Sequence, residues 1–144
     1  MADDFDETPE GFEEYIWCIY WTLIHFSGIY PVTLHFPVKI IETISKTEHV
    51  YLSVASLWEI AIKQSVNKLK YSDSIVDLGE ICKELHFEIL DLDLPSIERV
   101  KKLPFLHKDP FDRILIAQAQ ENSLTIITKD MYIPKYDVSA LQFE

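Results

Sequence analysis

An α/β fold with a central, mainly parallel sheet is predicted by three observations. From Ile40 onward, short runs of β-formers alternate with helix signals at close spacing. The strand candidates are apolar runs of the kind that lies buried inside a sheet. The length of 144 residues suits one domain and suffices to bury a core.

Ile40–Ser45 reads as the end of a helix. His49-Val-Tyr-Leu-Ser-Val54 reads as a short buried strand. Ser56 is then the expected helix cap, with Leu57, Ile60, Ala61 and Val66 on the apolar face. Ser74–Leu85 places Ile75, Leu78, Ile81, Cys82 and Leu85 at helical spacing. Phe87–Leu90 is a strand, and Pro95 opens a short helix ending near Lys102. Asp109-Pro110 opens a helix through Gln120. Leu124–Thr128 is another buried strand, followed by Lys129-Asp130, and an edge strand is expected from Val138.

Composition narrows the function classes. Hydrophobic residues at 48% and charged residues at 26% describe a globular chain. Cys18 and Cys82 are the only cysteines, too few for a disulfide scaffold or a four-cysteine zinc site. A reducing, cytoplasmic setting is expected. The net charge of −11 argues against a broad basic nucleic-acid surface. It is unevenly spread: Asp3, Asp4, Asp6, Glu7, Glu10, Glu13 and Glu14 crowd the start, and without them the balance is only −4. No basic leader precedes an apolar stretch, and Tyr15–Phe26 is too short to span a bilayer, so no membrane association is expected.

Residues 1–39 differ from the rest. Tyr15–Phe36 is rich in aromatics and β-formers but has no clean period of 2 or 3.6 and no turn chemistry to give it ends. Trp17, Trp21 and the neighbouring tyrosines lack the interleaved Lys or Arg of a base-stacking surface.

Three carboxylates stand out by position. Glu59 lies in the first turn of the helix expected after strand Val50–Val54, Asp112 in the first turn of the Asp109 helix, and Asp130 just past strand Leu124–Thr128. In a parallel sheet, strand C-termini and the following helix N-termini share one edge, where the three would converge. Converging carboxylates suit Mg²⁺ or Mn²⁺. Spacing alone also fits a structural reading. Ser56-Leu-Trp-Glu59 is a capping box, Asp109-Pro-Phe-Asp112 is a cap with dipole-favoured acids, and Asp130 suits a turn. His107 reads as a loop residue beside the cap. His25, His35, His49 and His86 form no metal-ligand spacing. No Gly-rich phosphate loop, nucleophile elbow or Cys–His signature is present.

Ser53-Val-Ala-Ser-Leu-Trp-Glu-Ile-Ala-Ile-Lys63, Lys68-Leu69, Leu103-Pro-Phe-Leu-His-Lys-Asp-Pro-Phe-Asp-Arg-Ile-Leu-Ile-Ala-Gln-Ala119 and Thr128-Lys-Asp130 together resemble PIN-domain proteins of the VapC toxin type. The resemblance runs in order from about residue 40 to 141, and the His-x-Asp-Pro-Phe-Asp-Arg block is its most specific part. It implies a three-layer α/β/α sandwich and a metal-dependent endoribonuclease of a toxin–antitoxin module. It implies Mg²⁺ or Mn²⁺ held by Glu59, Asp112 and Asp130, with Asp109 as cap or neighbour of the metal. RNA as substrate, a cognate antitoxin and a homodimer are implied as partners.

One feature departs from the family. Such proteins open with a buried strand ending in Asp-Thr-His, whose Asp is the first metal ligand. Here the corresponding place reads Ile19-Tyr20-Trp21. A reading-frame shift accounts for this. Triplets taken from the third base of each codon behind Ile16–Lys39 can read MVYLLDTHTFFWHLSGDTPFSGK, and Trp21-Thr22 forces the Asp codon GAC. Residues 1–16 resemble the acidic C-terminal tail of an antitoxin encoded just upstream. On this reading 1–39 is an atypical segment (tail-like 1–16, out of frame 17–39), and 40–144 is a PIN-like domain lacking its first-strand motif. A genuine, divergent N-terminus is the other reading. The expected consequence is a weakened or inactive nuclease. The alternatives are a non-catalytic remnant that binds an antitoxin or its own copy, and a hydrophobic anchor at Tyr15–Phe36, which the acidic flank disfavours beside anionic lipid.

Overall fold

The computed structural model of the chain describes residues 15–17, 42–43, 45–66, 74–84, 86–128 and 130–142. Its elements are β1 (Tyr15–Trp17), β2 (Val50–Ser53), α1 (Val54–Ser65), α2 (Ile75–Glu84), β3 (Phe87–Leu90), α3 (Leu94–Val100), α4 (Pro110–Asn122), β4 (Thr125–Thr128), a 3₁₀ turn (Ile133–Lys135) and β5 (Ala140–Gln142). Residues 42, 43, 45 and 46 are also helical, in keeping with a helix ending near Ser45. Lys68, Leu69, Leu85, Lys129 and the segment 18–41, with the expectations placed on them, lie outside the described residues.

All five strands are parallel, in the order β3-β2-β1-β4-β5. β2 and β4 are buried at consecutive positions: Leu52 and Ser53 in one, Ile126, Ile127 and Thr128 in the other. Successive strand residues face opposite sides, so both faces of the sheet are covered. This is the expected α/β/α arrangement. The apolar centre gathers Leu115, Ile116, Ala119, Leu124, Ile126, Ile133 and Tyr136, joining α4 to β4 and the turn beyond it.

β1 is the central strand. Tyr15 is level with Val50 and Thr125, and Trp17 with Leu52 and Ile127. The aperiodic N-terminal stretch therefore does supply a strand to the middle of the sheet, as a run of apolar β-formers is able to do. Strand order reverses at β1 and β4, and the C-terminal edge beside such a reversal is where open α/β sheets bind ligands.

Local sequence differs from expectation at three helix and strand ends. Ser53, not Ser56, caps α1: it keeps extended backbone and its Oγ accepts from the Ala55 N–H at 3.1 Å. The chain turns from strand to helix without a linker, so Ser56 falls inside the first turn, buried. Glu59 consequently lies in the second turn and serves no capping box. α4 runs to Asn122, past Gln120, because Ser123 adopts the left-handed conformation (φ 55°) that ends it. β5 begins at Ala140, since the Val138 N–H is drawn into a tight turn to the Tyr136 carbonyl.

Candidate metal centre

Asp109 caps α4 as its sequence context implies. Its Oδ1 accepts from the Phe111 N–H at 2.8 Å and the Asp112 N–H at 3.5 Å, and Pro110 occupies the first turn. This places Asp112 in the first turn, where exposed N–H groups and the helix dipole favour a negative charge.

Asp130 is placed by the end of β4. Its N–H donates to Thr128 Oγ1 at 2.9 Å, and its carbonyl accepts from Gln142 Nε2 at 3.3 Å. Its Oδ1 accepts from the Tyr132 and Ile133 N–H groups at 2.6 and 3.1 Å, which starts the 3₁₀ turn. Asp130 is thus a turn residue as well as a candidate ligand.

Between the two carboxylates stands His107. Its Nε2 lies 3.0 Å from Asp112 Oδ2 and 2.9 Å from Asp130 Oδ2. One ligand atom from each of His107, Asp112 and Asp130 falls within 4.8 Å of the others, a donor set and separation that can hold a metal ion. All three are half-buried. Burial raises the Asp130 pKa, but the hydrogen bonds from His107 and from the Tyr132 and Ile133 N–H groups together outweigh it. The Asp130 carboxyl is held below its ordinary value.

The loop carrying His107 is fixed by Arg113 and Tyr136. Arg113 is buried, and its guanidinium donates to the carbonyls of Val100 (3.2 Å), Leu103 (3.3 Å), Pro104 (3.0 Å) and His107 (3.4 Å). It also stacks on the Phe105 ring at 4.5 Å. The Tyr136 hydroxyl accepts from the Leu106 and His107 N–H groups at 3.1 and 2.7 Å. The buried core thereby reaches out to set the backbone beside the carboxylates.

Of the residues singled out in the sequence, the structure brings Asp112 and Asp130 together. Glu59 lies outside that group. Its Oε1 accepts from Lys63 Nζ at 2.9 Å, one turn along α1. It is tied to the same region through its neighbour, because Trp58 and Phe111, each one residue before Glu59 and Asp112, meet edge to face at 5.2 Å. His107, expected only as a loop residue, joins the two aspartates instead. Its position five residues before Asp112, with Asp109 between, is the available signal in the sequence.

The fold and site define a parallel α/β/α sandwich with two aspartates gathered at the C-terminal edge of its sheet. The PIN domain family matches residues 35–138, and the chain belongs to that family. No curated protein sequence matches the chain. Among solved structures, VapBC2 from Rickettsia felis bound to a DNA fragment from its promoter is similar (TM-score 0.59, 15% identity, 91% of this chain and 99% of that one). FitAcB from Neisseria gonorrhoeae is similar at TM-score 0.57 and 19% identity, covering 90% of this chain and 96% of that one. FitAB bound to an IR36 DNA fragment is similar at TM-score 0.51 and 19% identity, covering 72% and 81%. At these identities the likeness is one of fold. Among the described residues no helix is long and apolar enough to cross a membrane.

Proposed function

We propose that the chain is a PIN-domain endoribonuclease toxin of a toxin–antitoxin module, weakened in this form. The observation that carries the reading is the meeting of Asp112 and Asp130, from segments on either side of β4, at the C-terminal edge of the sheet. Glu59, Asp112 and Asp130 are the proposed ligands of Mg²⁺ or Mn²⁺, since hard divalent cations take carboxylate oxygens. Glu59 would join the pair from α1 by exchanging its Lys63 partner. Asp109 serves as the cap that aims Asp112. A divalent ion held there would supply charge stabilisation at a phosphate oxygen and would lower the pKa of a bound water enough for it to lose its proton and act as a nucleophile near neutral pH. The protein's own part is to hold the carboxylates ionised and in place. Both are half-buried, the dipole of α4 favours the charge on Asp112, and hydrogen bonds fix both oxygens of Asp130.

The weakening is a consequence of the N-terminal segment. From Tyr15 to Ile41 there is no Asp or Glu, so neither the central strand nor residues 18–41 contain an acid to bring to the site. Removing even an indirect metal partner typically costs 10–100-fold, and a direct ligand at least as much. The proposed origin is a reading-frame shift over residues 17–39 after an antitoxin-like tail at 1–16, with the PIN-like domain proper at 40–144. A cytoplasmic protein that meets RNA, a cognate antitoxin and a second copy of itself fits this reading.

Mg²⁺-dependent cleavage of RNA by this chain and by the frame-restored chain tests it. The expected result is slow or no cleavage by the first and clear cleavage by the second, abolished in Asp112→Asn. Equal rates would show that no first-strand acid is needed, and no cleavage by either would remove the nuclease reading. One observation favours a second reading, a non-catalytic module that binds an antitoxin or its own copy. Tyr15–Trp17 completes the parallel sheet without any acid, so the fold is retained independently of the chemistry. Capture of the antitoxin by a chain that cuts no RNA is the result that selects it.

A further inference from the structure

We infer that His107 is a positioning residue that clamps the Asp112–Asp130 pair by donating its Nε2 proton to Asp130 and holding the same nitrogen beside Asp112, rather than a ligand of the cation. The inference rests on the divalent-cation reading of those two carboxylates. It depends on which atom of the ring carries the proton. The Asp109 backbone N–H donates to His107 Nδ1 at 3.1 Å. A backbone N–H can only donate, so Nδ1 is the bare, accepting nitrogen and the proton of the neutral ring sits on Nε2. That N–H donates to Asp130 Oδ2 at 2.9 Å, and Asp112 Oδ2 lies 3.0 Å from the same nitrogen.

Direct ligation through Nε2 needs the opposite arrangement. Nε2 would have to be bare and Nδ1 protonated, which turns the Nδ1 proton against the Asp109 N–H. The capping residue thus enforces the donor form through its backbone while its side chain caps α4. The ring has little freedom to escape this. Its edge meets Tyr132 at 5.5 Å between centroids. The backbone N–H of His107 is held by the Tyr136 hydroxyl, and its carbonyl accepts from Arg113. The side chain is only 13% exposed.

The arrangement has a physical use. Two carboxylates brought this close repel each other, and each resists being ionised beside the other. An N–H dipole set between them offsets that repulsion before the cation arrives and fixes the separation of the two groups. Each carboxylate oxygen has two lone pairs, so the hydrogen bond at Asp130 Oδ2 leaves a lone pair for a cation.

Mn²⁺ titration of the full chain, followed by electron paramagnetic resonance, tests the inference with two substitutions. His107→Asn keeps an oxygen near the Nδ1 position to accept from Asp109 but has no donor at Nε2. His107→Gln carries its amide N–H close to the Nε2 position. The expected result is Mn²⁺ affinity lowered about 10–100-fold in His107→Asn and close to wild type in His107→Gln. Mn²⁺ bound to the wild type should show no directly coordinated nitrogen. Wild-type affinity in a folded His107→Asn overturns the clamp, as does a directly bound nitrogen. Absence of Mn²⁺ binding by the wild type overturns the cation reading itself, and the clamp with it.

Discussion

Replacing Arg113 with alanine should destabilise the protein more than any other single polar change near the candidate metal centre. Its three shortest hydrogen bonds run to the carbonyls of Pro104, Val100 and Leu103, at 3.0, 3.2 and 3.3 Å. Arg113 is 7% exposed, so water does not readily replace it. The Leu103 contact is buried and the Val100 and Pro104 contacts are part-buried, so losing the guanidinium costs about 2 kcal/mol. For a domain of this length, 1 kcal/mol corresponds to about 4 °C in Tm, so the expected fall is about 8 °C. Arg113→Lys should recover little, because one ammonium cannot reproduce the fork that reaches several carbonyls. Thermal unfolding by circular dichroism measures the shift, and urea titration should give a lower midpoint at unchanged slope. The loop delivers His107 to the carboxylates, so Mn²⁺ affinity should fall as well. A Tm drop below about 3 °C in Arg113→Ala would refute the reasoning, since it would mean that less than about 1 kcal/mol depends on these contacts.

Asp130 is ionised more readily in the folded chain than in the unfolded one, so its contribution to stability is present above the unfolded carboxylate pKa of about 3.9 and is lost as pH falls through the lower folded value. The Tm difference between wild type and Asp130→Asn should therefore be largest near neutral pH and shrink below about pH 4; a constant difference would contradict the assignment. Ser123→Gly should raise Tm by a few degrees, because φ 55° strains a side-chain-bearing residue by about 1–2 kcal/mol and Gly gives back part of that in chain entropy. Burial pushes the Cys82 thiol up to about 11. Its labelling by a disulfide reagent at pH 8 should wait for unfolding in urea, and rapid labelling of the native chain would show that the α2 face is open.

Strand and helix alternation after Ile40 is legible because consecutive buried strands are written as apolar runs. The Asp109-Pro110 start of α4 is legible because a cap followed by proline has one local meaning. The cap of α1 is not. Ser53 and Ser56 are both acceptable caps, and tertiary context decides between them: Ser53 ends β2, and its Oγ also donates to buried Gln118 Oε1 at 2.6 Å, an interaction 65 residues away in sequence. β1 is visible only as an apolar stretch without a period, because a strand in the middle of a parallel sheet needs no alternation to mark it. At the site, Asp112 and Asp130 can be placed on one edge from element order alone. His107 is only hinted at by its spacing to Asp109 and Asp112, because its role depends on a loop shape set by Arg113 and Tyr136, whose partners are mostly backbone carbonyls and N–H groups.

Crystals of the full chain soaked in Mn²⁺ and measured at the manganese edge test the central claim most directly. An anomalous peak within about 2.5 Å of carboxylate oxygens of both Asp112 and Asp130 is the expected result. A saturating soak that leaves this place without a peak, or that puts manganese only at other acidic residues, would contradict it.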